Sequence, residues 1–108
     1  MSINRPTKYR NTPTAVDGIR FASKREAKRY SELKLLERAG EISELALQPR
    51  FPFTVNDIKI CTYVADFFYR DTRTDQGVIE DAKGVQTPEF KIKAKLFRAL
   101  YGQEIRLV

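Results

Sequence analysis

The sequence predicts an α/β or α+β domain in which a mixed sheet is packed by two helices. Apolar residues recur at helical spacing in two segments, close to residues 24–39 and 88–101. Short runs rich in β-branched and aromatic residues lie between these segments and after the second one. The resulting order is one helix, three or four strands, a second helix and a final strand. This order is typical of a sheet covered by helices.

The first helix is expected over residues 24–39. Ser23 is a good N-cap, Glu26 stands three residues later at the capping-box position, and Gly40 is a natural residue to follow a helix. Glu26 also falls near the centre of the apolar stripe of this helix, not on its polar side. The stripe consists of Ala27, Tyr30, Leu33 and Leu36.

Strand patterns fill the middle of the chain and recur at its end. The strongest covers residues 59–69, where β-branched and aromatic side chains dominate. The other expected strands cover residues 42–47, 50–55, 78–83 and 104–108.

The second helix is expected from residue 88 to about residue 101. Thr87 is an N-cap followed by proline at the first helical position, and Gly102 follows the end. Its apolar face carries Phe90, Ala94, Phe97, Leu100 and Tyr101. Its opposite face carries Lys91, Lys95 and Arg98.

The net charge of +6 is concentrated at the start of the chain. Residues 1–30 hold eight Lys and Arg against two acidic residues, whereas the remainder is neutral. Residues 1–18 lack apolar periodicity, so we expect a flexible basic arm ahead of a domain at residues 19–108. A basic arm favours a polyanionic partner, most often nucleic acid, although a solubilising tail is the alternative.

Composition excludes several kinds of chemistry. The chain has no histidine and one cysteine, which rules out Ser-His and Cys-His catalysis, an internal disulfide and a Cys-rich metal site. The 108 residues leave no room for a separate nucleotide-cofactor domain. No apolar run approaches the roughly 20 residues of a membrane span, and the first residues lack a signal-peptide pattern. The lone Cys61 inside an apolar segment suits a reducing cytoplasm, so we expect a cytoplasmic protein without a membrane partner.

Three acidic residues interrupt apolar patterns. Asp66 lies inside the strongest strand pattern, where an ionised carboxylate is costly unless it is paired or coordinated. Asp81 and Lys83 are two apart in the next strand and point to the same side, whereas Glu80 points to the other. With Glu26 on the first helix, these residues form a candidate site.

Convergence of the three acids would require shared protons or a cation. Two carboxylates about 4 Å apart repel each other by roughly 4 kcal/mol at an effective dielectric near 20. The oxygen donors favour a hard cation such as Mg²⁺ or Mn²⁺. Lys83 beside them would hold a nucleophile or a scissile phosphate. Metal-assisted phosphodiester hydrolysis uses groups of these kinds.

Each candidate also has a simpler interpretation. Glu26 is then only a capping-box residue, and Asp66 is a solvated residue at a strand end. Asp81 and Lys83 are then an exposed pair, worth less than about 1 kcal/mol. The local sequence leaves these alternatives open.

The order of a helix acid, a strand acid and acid-x-lysine resembles the PD-(D/E)xK nuclease superfamily, whose core is helix-strand-strand-strand-helix-strand. The whole chain also resembles the small phage and prophage family catalogued as domain of unknown function 1064. It is similar as well to phage Holliday-junction-resolving endonucleases and to the nuclease subunit that cuts transposon ends. The residues that carry the resemblance are Lys8-Tyr9-Arg10-Asn11, Phe21–Ala27, Gln48-Pro49, Tyr63–Phe67 and Glu80–Gly84.

The resemblance implies a restriction-endonuclease-like core and a Mg²⁺ or Mn²⁺ cofactor. The catalytic residues that it implies are Glu26, Asp66, Asp81 and Lys83, of which the three acids are the metal ligands. The sequence departs from the superfamily pattern at Ala65, which replaces the proline before the first strand acid. Glu80 is the alternative ligand to Asp81, but strand parity favours Asp81 because it shares a face with Lys83.

We therefore expect a metal-dependent DNA endonuclease of phage or prophage type, acting on junction or branched DNA during recombination or DNA processing. The alternative is a non-catalytic DNA-binding or interaction module that retains a nuclease-like core. A homodimer is expected by analogy with resolvases. Gln48 and Gln86 are further candidates for lining the site, with plain loop and strand-end roles as the alternative. The expected DNA-binding residues are Lys8, Arg10, Lys24, Arg25, Lys91, Lys95 and Arg98.

Overall fold

The computed structural model describes residues 12–108. Its two helices are α1, Lys24–Arg38, and α2, Pro88–Tyr101. The strands of the described residues are β1 Thr14–Val16, β2 Ile19–Phe21, β3 Ile42–Leu47, β4 Arg50–Val55, β5 Ile58–Val64, β6 Phe67–Asp71, β7 Gln76–Asp81 and β8 Arg106–Leu107. Within residues 12–108, neither helix is long and apolar enough to cross a membrane.

A four-stranded mixed sheet forms the centre of the molecule, with the strand order β3–β6–β7–β8. The pairs β3–β6 and β6–β7 are antiparallel, whereas β7 and β8 are parallel. Parallel neighbours require a crossover connection, and α2 supplies it. The remaining described strands form two separate hairpins, β1–β2 and β4–β5. The α+β class with two helices and mixed and antiparallel sheets is therefore confirmed.

Both helices form where their cap residues predict. The Ser23 hydroxyl accepts a hydrogen bond from the backbone N–H of Glu26, at 3.2 Å, and starts α1. The Thr87 hydroxyl accepts one from the N–H of Phe90, at 3.1 Å, and starts α2. Gly102 ends α2 in the left-handed conformation that glycine adopts at low cost. The predicted bounds of both helices are confirmed to within one residue.

Two apolar clusters hold the layers together. The first packs α1 and the β1–β2 hairpin onto the sheet and has Tyr30, Leu33 and Phe67 among its buried members. The second packs α2 and the β4–β5 hairpin together around Phe53 and Phe97. Because the two clusters use different side chains of the central sheet, each helix is anchored by its own core.

The expected single strand over residues 59–69 is wrong, because the chain changes partners at Asp66. β5 pairs with β4, and β6 pairs with β3 and β7. Between them, the N–H of Ala65 bonds to the carbonyl of Pro49, and the N–H of Asp66 bonds to the carbonyl of Glu80, both at 3.1 Å. Asp66 therefore stands at the junction of the hairpin and the central sheet, not inside a continuous strand.

Two other expected strands have different bounds. The strand expected over residues 78–83 runs over Gln76–Asp81, so Lys83 lies just beyond its end. The strand expected over residues 104–108 is reduced to Arg106–Leu107. The end of β7 thus falls at Asp81, where the acidic side chains meet.

Part of the segment expected to be a flexible arm is folded, beginning with the strand that follows residue 13. Thr14–Val16 pairs with Ile19–Phe21 in an antiparallel hairpin. Asp17 and Gly18, with φ of 54° and 76°, make the two-residue turn that Asp-Gly favours. The Tyr30 hydroxyl on α1 donates to Asp17 at 3.1 Å. Residues 14–18 are therefore part of the folded domain, while residues 1–11 lie outside the described residues.

Candidate acidic site

Four residues predicted from the sequence lie around the end of β7. Asp81 is the last residue of β7, and Lys83 follows it by two positions. Asp66 lies in the link between β5 and β6. Glu26 is in the first turn of α1. One end of the central sheet thus brings together side chains from three separate parts of the chain.

Asp66 and Asp81 form the centre of this group. One oxygen of Asp66, Oδ2, accepts a hydrogen bond of 2.7 Å from the backbone N–H of Ala82. Burial raises the pKa of Asp66 to about 8, and a hydrogen bond to Asp81 together with its charge adds to this shift. This raised pKa favours the protonated form of Asp66 at neutral pH, beside the Asp81 side chain. The repulsion between two adjacent carboxylates is relieved in this way.

Asp81 is almost completely enclosed, with 3% of its surface exposed. The Tyr63 hydroxyl of β5 donates a hydrogen bond to its Oδ2 atom. Burial first, and then this hydrogen bond, raise the pKa of Tyr63, so the phenol remains a donor. Tyr63 thereby connects the β4–β5 hairpin to the acidic pair.

Lys83 supplies the positive charge beside the pair. Its Nζ atom lies 3.8 Å from Oδ1 of Asp81. The same ammonium group lies 4.7 Å from the ring centroid of Phe90, a distance typical of a cation–π contact. Lys83 is therefore held between the carboxylate and an aromatic ring.

Glu26 is half-buried and lies within electrostatic reach of the pair. Burial raises its pKa, the charge of Asp81 raises it further, and Lys83 lowers it. The bond that Ser23 accepts uses the backbone of Glu26 and not its carboxylate. The capping interpretation and the site interpretation of Glu26 are therefore compatible.

Glu80 occupies the opposite side of β7 and is completely buried. Arg29 of α1 donates hydrogen bonds to both of its carboxylate oxygens, from Nε at 2.8 Å and from Nη2 at 2.7 Å. The Tyr69 hydroxyl donates to the same carboxylate. The hydrogen bond to Glu80 raises the pKa of Arg29 further above its ordinary value, so the guanidinium stays charged. The charge of Glu80 is thus neutralised by its ion pair with Arg29, and this pair lies away from Asp66.

Arg29, Tyr63 and Tyr69 were not predicted as parts of the site. Arg29 carries a sequence signal, because it follows Glu26 by three positions and so lies close to it on the helix surface. The two tyrosines carry none, because their partners are distant in sequence and a tyrosine in a strand is ordinarily a packing residue.

The donor set suits a hard cation, because it consists of carboxylate oxygens and excludes nitrogen and sulfur. Among residues 12–108, no three His, Cys, Asp or Glu side chains are arranged so as to hold a metal ion. Burial, a hydrogen bond to Asp81 and the charge of Asp81 raise the pKa of Asp66, and burial and the charge of Asp81 raise the pKa of Glu26. The carboxylate oxygens are of the kind that Mg²⁺ or Mn²⁺ prefers, but among residues 12–108 they are not arranged around one metal position.

Five of the seven expected DNA-binding residues fall within residues 12–108, and they lie on two exposed surfaces. Lys24 and Arg25 are exposed in the first turn of α1, and an Arg25 nitrogen lies 3.5 Å from the carbonyl of Val108. The exposed basic residues of α2 are Lys91, Lys95 and Arg98. Lys8 and Arg10 fall outside the described residues.

The two candidate glutamines have different environments. Gln48 is exposed, and its backbone N–H bonds to the carbonyl of Asp66 at 2.9 Å, so it helps to fix the position of that residue. Gln86 is exposed and lines a cavity of about 240 Å³ together with Lys95 and Arg98.

Comparison with known proteins places the chain in one family. No curated protein matches the sequence. No solved structure matches it either. The family described as "Protein of unknown function (DUF1064)" matches residues 6–108, which is nearly the whole chain. That span includes all the residues of the acidic site, from the first turn of α1 to the lysine beyond β7. The chain therefore belongs to the DUF1064 family.

Proposed function

We propose that this protein is a metal-dependent DNA endonuclease that hydrolyses phosphodiester bonds. The observation that carries the proposal is the meeting of Asp66, Asp81 and Lys83 at the end of β7, with Glu26 beside them. An acidic pair that shares a proton, next to a lysine, is an arrangement that a divalent cation can enter with release of that proton.

Each residue has a defined role under this proposal. Asp66 and Asp81 would hold Mg²⁺ or Mn²⁺, with Glu26 completing the set. The bound cation would activate water and stabilise charge on the phosphate. Lys83 lies beside Asp81 and would orient the nucleophile or the scissile phosphate by its charge. Tyr63 would keep the Asp81 carboxylate oriented.

The environment of Glu80 supports Asp81 as the ligand. Glu80 is completely buried, and Arg29 and Tyr69 occupy its oxygens. A cation that bound Glu80 would have to break a charge-assisted, two-point contact with arginine. Asp81 instead faces Asp66 and Lys83.

The arrangement of elements supports a likeness to the PD-(D/E)xK core. When the two hairpins are set aside, the order is α1, β3, β6, β7, α2, β8, with a mixed four-stranded sheet. This is the helix-strand-strand-strand-helix-strand order expected from the resemblance. Because the sequence has no base-reading motif, we propose recognition of DNA structure, such as a junction or branch, in recombination or DNA processing. The proposed place of action is the cytoplasm of a bacterial host.

A non-catalytic DNA-binding module is the second candidate. It is favoured by the absence, among residues 12–108, of three acidic side chains arranged around one metal position. The hydrogen bonds from Tyr63 and from the Ala82 N–H also stabilise the acidic pair without a cation. The module would bind DNA through its basic residues and leave it intact.

A single substitution distinguishes the nuclease from the non-catalytic DNA-binding module. We expect Asp81→Asn to reduce Mn²⁺-dependent nicking of supercoiled, duplex and four-way-junction DNA by at least a hundredfold, because it removes a ligand charge and keeps the side-chain shape. DNA binding without metal should be unchanged. Cleavage is read on gels and binding by fluorescence anisotropy.

The matched control is Asp75→Asn, the same chemical change at an exposed loop residue. Asp75 has a left-handed backbone conformation, which asparagine tolerates. It should cleave as the wild type does. Equal cleavage by Asp81→Asn and the wild type would contradict the site. Intact DNA with the wild-type protein, in Mn²⁺ and with binding retained, would favour the module.

A further inference from the structure

A polar network centred on the buried Glu80 connects four elements directly behind the acidic site. We define it as Arg29 of α1, Tyr69 of β6, Glu80 of β7 and Arg106 of β8. Arg29 binds both oxygens of Glu80, and Tyr69 donates to one of them. A nitrogen of Arg106 lies 3.4 Å from the Tyr69 hydroxyl. The network therefore joins one helix to three strands of the central sheet.

The positions of its members in sequence connect the network to the site. Glu80 immediately precedes Asp81, and Arg29 follows Glu26 by three residues. Three residues along a helix correspond to an axial rise of about 4.5 Å and nearly one turn. The contact between Arg29 and Glu80 therefore fixes where the first turn of α1 lies relative to the last residue of β7.

The geometry of the contact suits a fixed position. A bidentate arginine–carboxylate pair restrains distance and orientation together, whereas a lysine forms only a point contact. The Glu80 side chain is fully enclosed, and that of Arg29 is 21% exposed. A shift of α1 along the sheet would leave a buried charge without its partner, which is strongly unfavourable.

We propose that Arg29 and Glu80 are positioning residues that fix the first turn of α1, which carries Glu26, relative to Asp81, and that Mn²⁺ binding at these carboxylates depends on this placement. This inference rests on the proposed nuclease function. Their effect would be exerted through the placement of α1 on the sheet. Residues that bond directly to metal ligands typically change metal affinity by 10–100-fold, and we expect an effect at the lower end of that range here.

The test replaces the network without leaving a buried charge or an unpaired hydroxyl. The variant Arg29→Met/Tyr69→Phe/Glu80→Met exchanges its three central members for apolar side chains of similar volume. Such exchanges often preserve stability. Tyr69→Phe is included because the tyrosine hydroxyl would otherwise be buried without its acceptor.

We expect the triple variant to remain folded and to bind Mn²⁺ at least tenfold more weakly than the wild type. Circular dichroism and urea unfolding report its folding, and titration calorimetry reports Mn²⁺ affinity without any cleavage assay. If the triple variant does not fold, Arg29→Lys tests the same positioning role, because lysine keeps the positive charge but cannot form the bidentate contact with Glu80. It should likewise weaken Mn²⁺ binding at least tenfold.

The matched control is Lys34→Met/Glu37→Met, which removes another ion pair of α1, with side chains 35% and 32% exposed, that is not part of the network. It should bind Mn²⁺ as the wild type does. A folded triple variant or Arg29→Lys variant with wild-type Mn²⁺ affinity would overturn the positioning role and leave the proposed function intact. A wild-type protein that does not bind Mn²⁺ would overturn both.

Discussion

At the scale of single residues, the main feature is a pair of carboxyl groups that relieves its own repulsion. Asp66 and Asp81 are bonded to each other, and the pKa of Asp66 is raised to about 8 from an ordinary value of 3.8. The Ala82 N–H and the Tyr63 hydroxyl supply further hydrogen bonds. The pair is therefore stable without a cation as long as Asp66 keeps its proton.

This proton makes the stability of the metal-free protein depend on pH. Between about pH 4 and pH 8, the unfolded chain loses the Asp66 proton while the folded protein retains it. The folded state then binds more protons, so the free energy of unfolding decreases as the pH rises through this interval. We expect Asp66→Asn to remove this decrease, because asparagine keeps a donor for Asp81 and an acceptor for Ala82 without titrating.

Urea unfolding in EDTA, repeated across this pH range, measures the effect. The Asp66→Asn variant should be more stable than the wild type at pH 8, and the difference should shrink towards pH 4. Asp75→Asn is again the control, because its side chain is 89% exposed. Parallel stability curves for Asp66→Asn and the wild type would contradict the shared proton.

Alternation along a strand predicted which of two adjacent acids lies near Lys83. Asp81 faces that lysine and Glu80 faces α1, as parity requires. The hydroxyl of Tyr63 could not be predicted in the same way. Its bond to Asp81 spans 18 residues, and only the folded hairpin brings the two together.

At the scale of elements, the ends of the helices were predictable because their caps are local. Ser23, Thr87 and Gly102 each act on backbone groups within a few positions of themselves. The expected strand over residues 59–69 failed for the opposite reason. That strand breaks because the N–H groups of Ala65 and Asp66 donate to the carbonyls of Pro49 and Glu80, which are distant in sequence.

The cap of α2 gives a prediction at this scale. Thr87 satisfies the N–H of Phe90, so Thr87→Ala should lower the free energy of unfolding by about 1 kcal/mol. Thr87→Ser should recover most of this loss, because serine is an equally good cap. Urea unfolding of the three proteins measures it. An unchanged stability in Thr87→Ala would show that Pro88 and packing suffice to start the helix.

At the scale of the whole molecule, the basic residues of α2 are exposed, whereas Asp81 of the acidic site is enclosed. The net charge is +6, yet the acids of the site are enclosed or half-buried at one end of the sheet. The basic residues of α2, Lys91 and Lys95, are exposed. A polyanion would therefore meet positive charge on this surface.

This surface makes the strength of DNA binding depend on salt. Each lysine that contacts a phosphate contributes about 0.9 to the slope of log affinity against log salt. We expect Lys91→Gln/Lys95→Gln to weaken binding and to reduce that slope by up to about 1.8. Fluorescence anisotropy at several salt concentrations measures it. An unchanged slope would remove α2 from the DNA-binding surface, and Lys34→Gln on α1 is the control.

Sedimentation equilibrium of the same DNA complexes gives the number of chains bound. We expect two, because one site cuts one strand and cleavage of a junction requires two cuts. A protein mass near the 12.5 kDa of one chain would contradict the dimer.

The β4–β5 hairpin has a consequence for solubility. It lies outside the central sheet, and its exposed Ile58, Ile60 and Val64 would ordinarily invite strand-to-strand aggregation. Pro52 has no N–H to offer an incoming strand, and its carbonyl is occupied by the Tyr101 hydroxyl at 2.8 Å. The register shift between Phe53 and Thr54 also interrupts the regular ladder. The β4 edge of the hairpin therefore does not present a continuous template for self-association.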